Sequence, residues 1–258
     1  MSWMLPSTQI SASKVPCSVS VWWFRPSIPH LPRLAQVATG VVLEPRTVSR
    51  STSTLLRKPR PAVTVSLNPS LYMEGEYSYT SPSTVPVMFY IHGGGYIFGN
   101  PATLPYDHWV HQSQEVIIVS VYYRLATFGF LAHPDFASGA IADYNPGFLD
   151  QVQALQWVKE YIYYFGGNPN MITIDGQSAG GSSVLLHLVS TGEKVFKQAM
   201  SQSLYRTPLP TPDQQKGIFD DFATKAGCNT GNTTTTVACL RQASVSTLAI
   251  AQDSAMGT

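Results

Sequence analysis

The chain has 258 residues, 44% of them hydrophobic, enough for a sizeable buried core and close to the upper limit for one domain. Its 16 basic and 15 acidic residues nearly cancel and form no basic stripe that would neutralise a phosphate backbone, so no nucleic-acid partner is expected. No stretch offers the 18 or so uninterrupted apolar residues of a bilayer span.

Residues 1–80 differ in kind from the rest. They are rich in Pro, Ser and Arg, as in RPSIPHLPRLAQ, and carry no acidic residue before Glu44. ATGVVLE and PAVTVSL are candidate strands, but no sustained alternation connects them, so this segment is expected to have low order. The first residues also lack a basic region followed by a compact apolar run, and no clear signal peptide is expected there.

The pattern changes at Thr84, and residues 81–258 are expected to form the folded domain. VPVMFYI (85–91) is a continuous apolar run ending in HGGG, which reads as a buried strand feeding a tight loop. EVIIVSVYY (115–123) is a second strand of this kind. Val152, Leu155, Val158 and Ile162 recur at steps of three and four, which predicts a helix with one buried face, stopped by Gly166, Gly167 and Pro169. MITID (171–175) is a third strand, and SAGGSSVLLHLVS opens a helix directly after it. Strands alternating with helices predict a mostly parallel sheet flanked by helices, an α/β fold.

Gly176-Gln177-Ser178-Ala179-Gly180 has the form Gly-x-Ser-x-Gly and lies between that strand and that helix, the setting a nucleophile elbow requires. Gly176 and Gly180 carry no side chain to collide where the backbone doubles back. Ester attack by Ser178 would create an oxyanion, which needs fixed donors in a water-poor site. His92-Gly93-Gly94-Gly95 can turn backbone amides toward one point, and the Ala179 amide can add another. A phosphate loop would want Lys and Ser or Thr next, which GGGYIFGNP lacks, so a plain turn is the competing reading. Cys228 and Cys239 enclose a Thr-rich loop whose spacing allows either a disulfide or two reduced thiols, and Cys17 is the third cysteine. Asn232-Thr233-Thr234 has the form of an N-glycosylation acceptor.

From about Val85 onward the chain resembles the type B carboxylesterases, the cholinesterase and esterase/lipase group of the α/β-hydrolase fold. The blocks that carry the likeness are VPVMFYIHGGGYIFGN, VIIVSVYYRLATFGFLAHPD, NPGFLDQVQALQWVKEYIYYFGGNPNMITIDGQSAGGSSV, FKQAMSQS and AGCN with VACLR. The resemblance implies that Ser178 is the nucleophile, that Gly94, Gly95 and Ala179 are the oxyanion donors, and that Cys228 pairs with Cys239. It further implies a secreted protein acting on a small-molecule carboxylic ester, with no cofactor and no metal. Gln177 stands where the family commonly has Glu.

α/β-Hydrolases order their triad as Ser, then acid, then His, and 80 residues follow Ser178. His187 is the only histidine among them; nine positions along a helix it would lie roughly 13 Å away, so it is expected to be a helix residue and not the base. His30, His108, His111 and His133 precede the serine. Glu193, Asp220, Asp221 and Asp253 read as solvated charges, and Asp150 as a helix-end or structural carboxylate. Tyr96, Phe98, Phe128 and Phe130 fit either a substrate pocket or the core. The expectation is an incomplete α/β-hydrolase fold, the N-terminal portion of an ester hydrolase that is truncated or inactive in this form. The alternatives are a noncatalytic esterase-like protein-binding domain and a fragment without a stable fold.

Overall fold

A computed structural model of the chain describes residues 18–21, 40–44, 63–66, 85–101, 106–113, 115–204 and 210–256. By contacts the chain divides into two compact units. One comprises Met1–Thr47, Arg60–Tyr122 and Gln151–Tyr205; the other comprises Val48–Pro59, Tyr123–Asp150 and Arg206–Thr258.

The first unit is built on a sheet whose strands are β1 (Ser18–Val21), β2 (Gly40–Glu44), β3 (Val63–Ser66), β4 (Val85–Ile91), β5 (Ile117–Val121), β6 (Gly167–Gln177) and β7 (Gln198–Gln202). Across the sheet their order is β1-β2-β3-β5-β4-β6-β7. The block β5-β4-β6-β7 is parallel throughout, as the strand and helix alternation predicts. β1, β2 and β3 extend it by antiparallel pairing, β3 joining β5. β2 and β3 fall on the two candidate strands ATGVVLE and PAVTVSL. β1 also falls in the segment expected to have low order, and the rest of that segment, with Cys17 and His30, lies outside the described residues.

Apolar runs bury both faces of the central strands: Phe89, Ile91, Ile117, Val119, Val121 and Ile174 on one face are fully buried, and Tyr90 and Ile118 on the other are buried too. β6 is longer than the sequence suggests. Its pairing with β4 jumps from Val85↔Gly167 to Val87↔Ile172, so the polar Asn168-Pro169-Asn170 bulges out of the ladder without ending it. The helix α3 (Pro146–Tyr161) presents Gln151, Ala154, Leu155 and Val158 to the core, followed by a short 3₁₀ turn with buried Ile162. Val152, expected on that face, is only half-buried. The short α1 (Asp107–Gln112) packs Val110 with Tyr90, Tyr106 and Ile118. α4 (Ala179–Val189) follows β6 directly.

The second unit is mostly helical: α2 (Ala126–Phe130), α5 (Pro212–Lys225), α6 (Thr233–Gln242) and α7 (Val245–Met256). Its core collects Phe136, Phe219, Phe222, Ala223, Val237 and Leu240. A capping box between Thr211 and Gln214, with Pro212 in the first turn, starts α5. The Asn232 side chain accepts from the Thr235 amide to start α6.

Candidate active site

β6 ends at Gln177 and α4 begins at Ala179, so the whole reversal falls on Ser178. Its backbone has φ 58° and ψ −120°, a left-handed conformation that costs an L-residue about 1–3 kcal/mol and persists only where its surroundings enforce it. Two main-chain bonds do so: the Ser178 amide donates to Gln202 O at 3.0 Å, and Ser182 N donates to Ser178 O at 2.9 Å. Packing does the rest. A Cβ on Gly180 would lie 2.0 Å from Ile91 O, so the first turn of α4 can press against the end of β4 only with glycine there.

The HGGG loop is brought to the same place. A Cβ on Gly93 would lie 2.6 Å from Gln177 O and 3.2 Å from Ser178 Cβ, so the loop touches the elbow through a residue without a side chain. Gly94, Gly95 and Tyr96 follow with φ of 109°, 63° and 63°. Ile97 N and Phe98 N both donate to Gly94 O at 3.0 Å and close the turn. Among the described residues, none accepts a hydrogen bond from the amides of Gly94, Gly95 or Ala179. Such donors can receive an anion without first breaking another bond.

Ser178 is half-buried and Gln177 exposed. Among the described residues, no histidine hydrogen-bonds the Ser178 hydroxyl. His92 is buried, with Nδ1 donating to Gly93 O at 2.8 Å, and burial holds its pKa below the ordinary histidine value against the opposing pull of that carbonyl. His187 lies in the last turn of α4, where burial and the Lys194 charge push its pKa down to about 4. Lys194 in turn donates to His187 O at 2.7 Å. His133 caps a 3₁₀ turn in the second unit, accepting from the Asp135 amide at 3.2 Å, and packs on Phe219. His108 and His111 are exposed on α1.

One polar group of the site escapes sequence reasoning. Asp175, the last residue before the elbow motif, is fully buried; Gln202 Nε2 donates to its two carboxylate oxygens at 3.0 and 2.9 Å. Burial raises its pKa, and the bonds from Gln202 and Gly176 only partly offset that. Tyr106, hydrogen-bonded to Tyr90, also has its pKa raised, chiefly by burial and further by Tyr90 and the Asp175 charge. An aspartate ending a strand of apolar residues is the signal in the sequence, although its Gln202 partner is 27 positions away.

Cys228 and Cys239 are joined by a disulfide with Cα atoms 5.5 Å apart. Asn232 is exposed at the start of α6. Asp150 sits one turn into α3 and takes a two-pronged ion pair from Arg124, Nε to Oδ2 and Nη2 to Oδ1 both at 2.7 Å, so its role is this bond and not helix capping. Asp220 and Asp221 pair with Lys216 and Lys225 one turn away, at 2.5 and 2.8 Å. Glu193 and Asp253 are exposed. Phe98 is 70% exposed and so packs no core, Phe128 is partly exposed, and Phe130 sits against Gly147. Among the described residues, no three His, Cys, Asp or Glu side chains are grouped to hold a metal ion.

The model of the Carboxylesterase family matches residues 71–258. The chain belongs to that family. It is 39% identical over 169 residues to acetylcholinesterase of Electrophorus electricus, covering 62% of this chain and 26% of that protein. To carboxylesterase 1D of Rattus norvegicus it is 42% identical over 167 residues, covering 63% and 28%. Among solved structures, Aspergillus niger EstA superposes with a TM-score of 0.64 at 30% identity, over 74% of this chain and 36% of that one. PNB esterase gives 0.61 at 31%, over 75% and 38%. These likenesses establish the α/β-hydrolase fold. The chain spans little more than a quarter of the length of these two curated relatives.

Proposed function

We propose that the site is the nucleophile and oxyanion half of a carboxylic ester hydrolase. Ser178 attacks the ester carbonyl carbon to form an acyl-enzyme, the alcohol leaves, and the amides of Gly94, Gly95 and Ala179 receive the charge that develops on the carbonyl oxygen. The observation that carries this reading is a serine held in a left-handed turn beside three amides with no acceptor among the described residues. Among the described residues no histidine is bonded to Ser178, so none of them is placed to take its proton. Such a site retains at most the roughly 10³ to 10⁴-fold effect that an oxyanion hole and substrate binding give alone.

A fluorophosphonate probe with peptide mass spectrometry tests both parts. Modification should fall on Ser178, vanish in Ser178→Ala, and proceed slowly with a rate that keeps rising into the alkaline range, because hydroxide must do the deprotonation. Modification elsewhere and never at Ser178 would sink the esterase reading in favour of a noncatalytic binding domain. Rapid labelling that levels off near neutral pH would show a working base and overturn the unarmed serine.

The proposal extends to a secretory route, because the Cys228–Cys239 bond belongs to an oxidising compartment and Asn232 is exposed. Asn232 caps α6 through Oδ1, which leaves Nδ2 for a glycan without loss of the cap. Expression through a eukaryotic secretory pathway should yield a band that glycosidase treatment shifts and Asn232→Gln abolishes. No helix among the described residues is long and apolar enough to cross a membrane.

A further inference from the structure

Two glycines with positive φ leave the Gly94-Gly95 segment free to adopt many conformations, and Tyr96 is the first residue after them whose side chain can pin it. Tyr96 itself takes φ 63°, which an aromatic residue adopts only under constraint. Its hydroxyl lies 3.2 Å from Ser183 Oγ, the donor of that bond, on α4 five residues past the nucleophile. Ser183 Oγ in turn accepts from Gln151 Nε2 at 3.1 Å. Both Ser183 and Gln151 are fully buried.

Gln151 shares a helix face with the buried Leu155 and Val158, where an apolar side chain would need no partner. Among the described residues its Oε1 has none. A buried amide that makes one bond and leaves its carbonyl unmet is poor material for stability, since the unmet group carries a desolvation cost. What that amide does accomplish is to fix the rotor of Ser183 and so direct the Ser183 proton at Tyr96.

We propose that Tyr96 is a positioning residue. Its bond to Ser183, with Ser183 oriented by Gln151, ties the glycine turn to the elbow helix and so sets the aim of the Gly94 and Gly95 amides relative to Ser178. The inference rests on the esterase reading for what those amides receive, but the tether itself does not depend on it.

Tyr96→Phe keeps the ring and removes the bond; Ser183→Ala removes it from the other side. Each should slow fluorophosphonate labelling of Ser178 about tenfold, less than the 10²–10³ of deleting a donor outright, with the pH slope of the wild type; the melting temperature should stay near that of the wild type in Tyr96→Phe and fall in Ser183→Ala, which also leaves the buried Gln151 Nε2 without its acceptor. The double variant should be no slower than either single, because both break one link. Labelling at the wild-type rate in both, or losses that multiply, would overturn the tether. If wild-type Ser178 takes no label, the esterase reading fails, and amide exchange at Ile97 and Phe98 decides the tether instead. Those two amides close the turn onto Gly94, and they should exchange faster in Tyr96→Phe than in the wild type. Equal rates there refute the proposal.

Discussion

The segments 92–96 and 176–181 can be set against the helices from Pro212 to Met256. In the first, amides at Gly94, Gly95 and Ala179 go without an acceptor among the described residues, and Ser178 is held in a left-handed turn. In the second, helix starts are closed by Thr211, Gln214 and Asn232, and a disulfide joins Cys239 in the last turn of α6 to Cys228 in the loop before that helix. The contrast locates strain and unspent donors where chemistry would occur and satisfied bonds where only support is needed. Changes at Ser178, the proposed nucleophile, should therefore alter reactivity at little cost in stability, and changes in the support the reverse.

The largest effect should come from a supporting residue inside the first of these regions. Gly180→Ala places a methyl against a main-chain oxygen that cannot move aside, and chemical denaturation should show a loss of at least about 4 kcal/mol or no folded protein. A small loss would mean that the close approach of α4 to β4 is not required. Next, Cys228→Ser with Cys239→Ser should cost up to about 3 kcal/mol, read by the same unfolding curve, with the reactivity of Ser178 unaltered. A third test is pH. His187 has its folded pKa lowered to about 4, so the stability from keeping it neutral is complete above its unfolded value of 6.5 and is lost as pH falls toward 4. That window spans up to about 3 kcal/mol, and His187→Gln should flatten the dependence of melting temperature on pH across it. The smallest effect has the opposite sign: Ser178→Gly should stabilise by about 1 kcal/mol while abolishing labelling, because glycine takes φ 58° without penalty. If that variant is destabilised instead, Ser178 is not strained and the contrast fails.

Much of the frame is legible in the residues themselves. β4 and β5 are continuous apolar runs with turns at their ends, and the Gly-x-Ser-x-Gly elbow announces a strand on one side and a helix on the other. β6 starts earlier than its apolar residues because pairing resumes on both sides of a bulge, which no local pattern reveals. The site is legible only as far as the backbone makes it. Glycines mark where chains approach, but the Tyr96–Ser183 bond joins residues 87 positions apart, and Gln151 carries an amide at a place where periodicity predicts a hydrocarbon. Such groups follow from tertiary packing, which the spacing of residues does not encode. Asp175 belongs with them: read along the chain it is one charge after MITI, and only its burial and the Gln202 amide make it part of the site.

One last consequence concerns β7. Among the described residues it pairs with β6 alone, and its residues Gln-Ala-Met-Ser-Gln include no charge to repel an incoming strand. Met200, and Leu185, Leu188 and Val189 on α4, are exposed in the same unit. An uncharged parallel edge accompanied by exposed hydrocarbon is a template for intermolecular pairing. The concentration of the protein is therefore a variable in every measurement above, and each is best made in dilute solution.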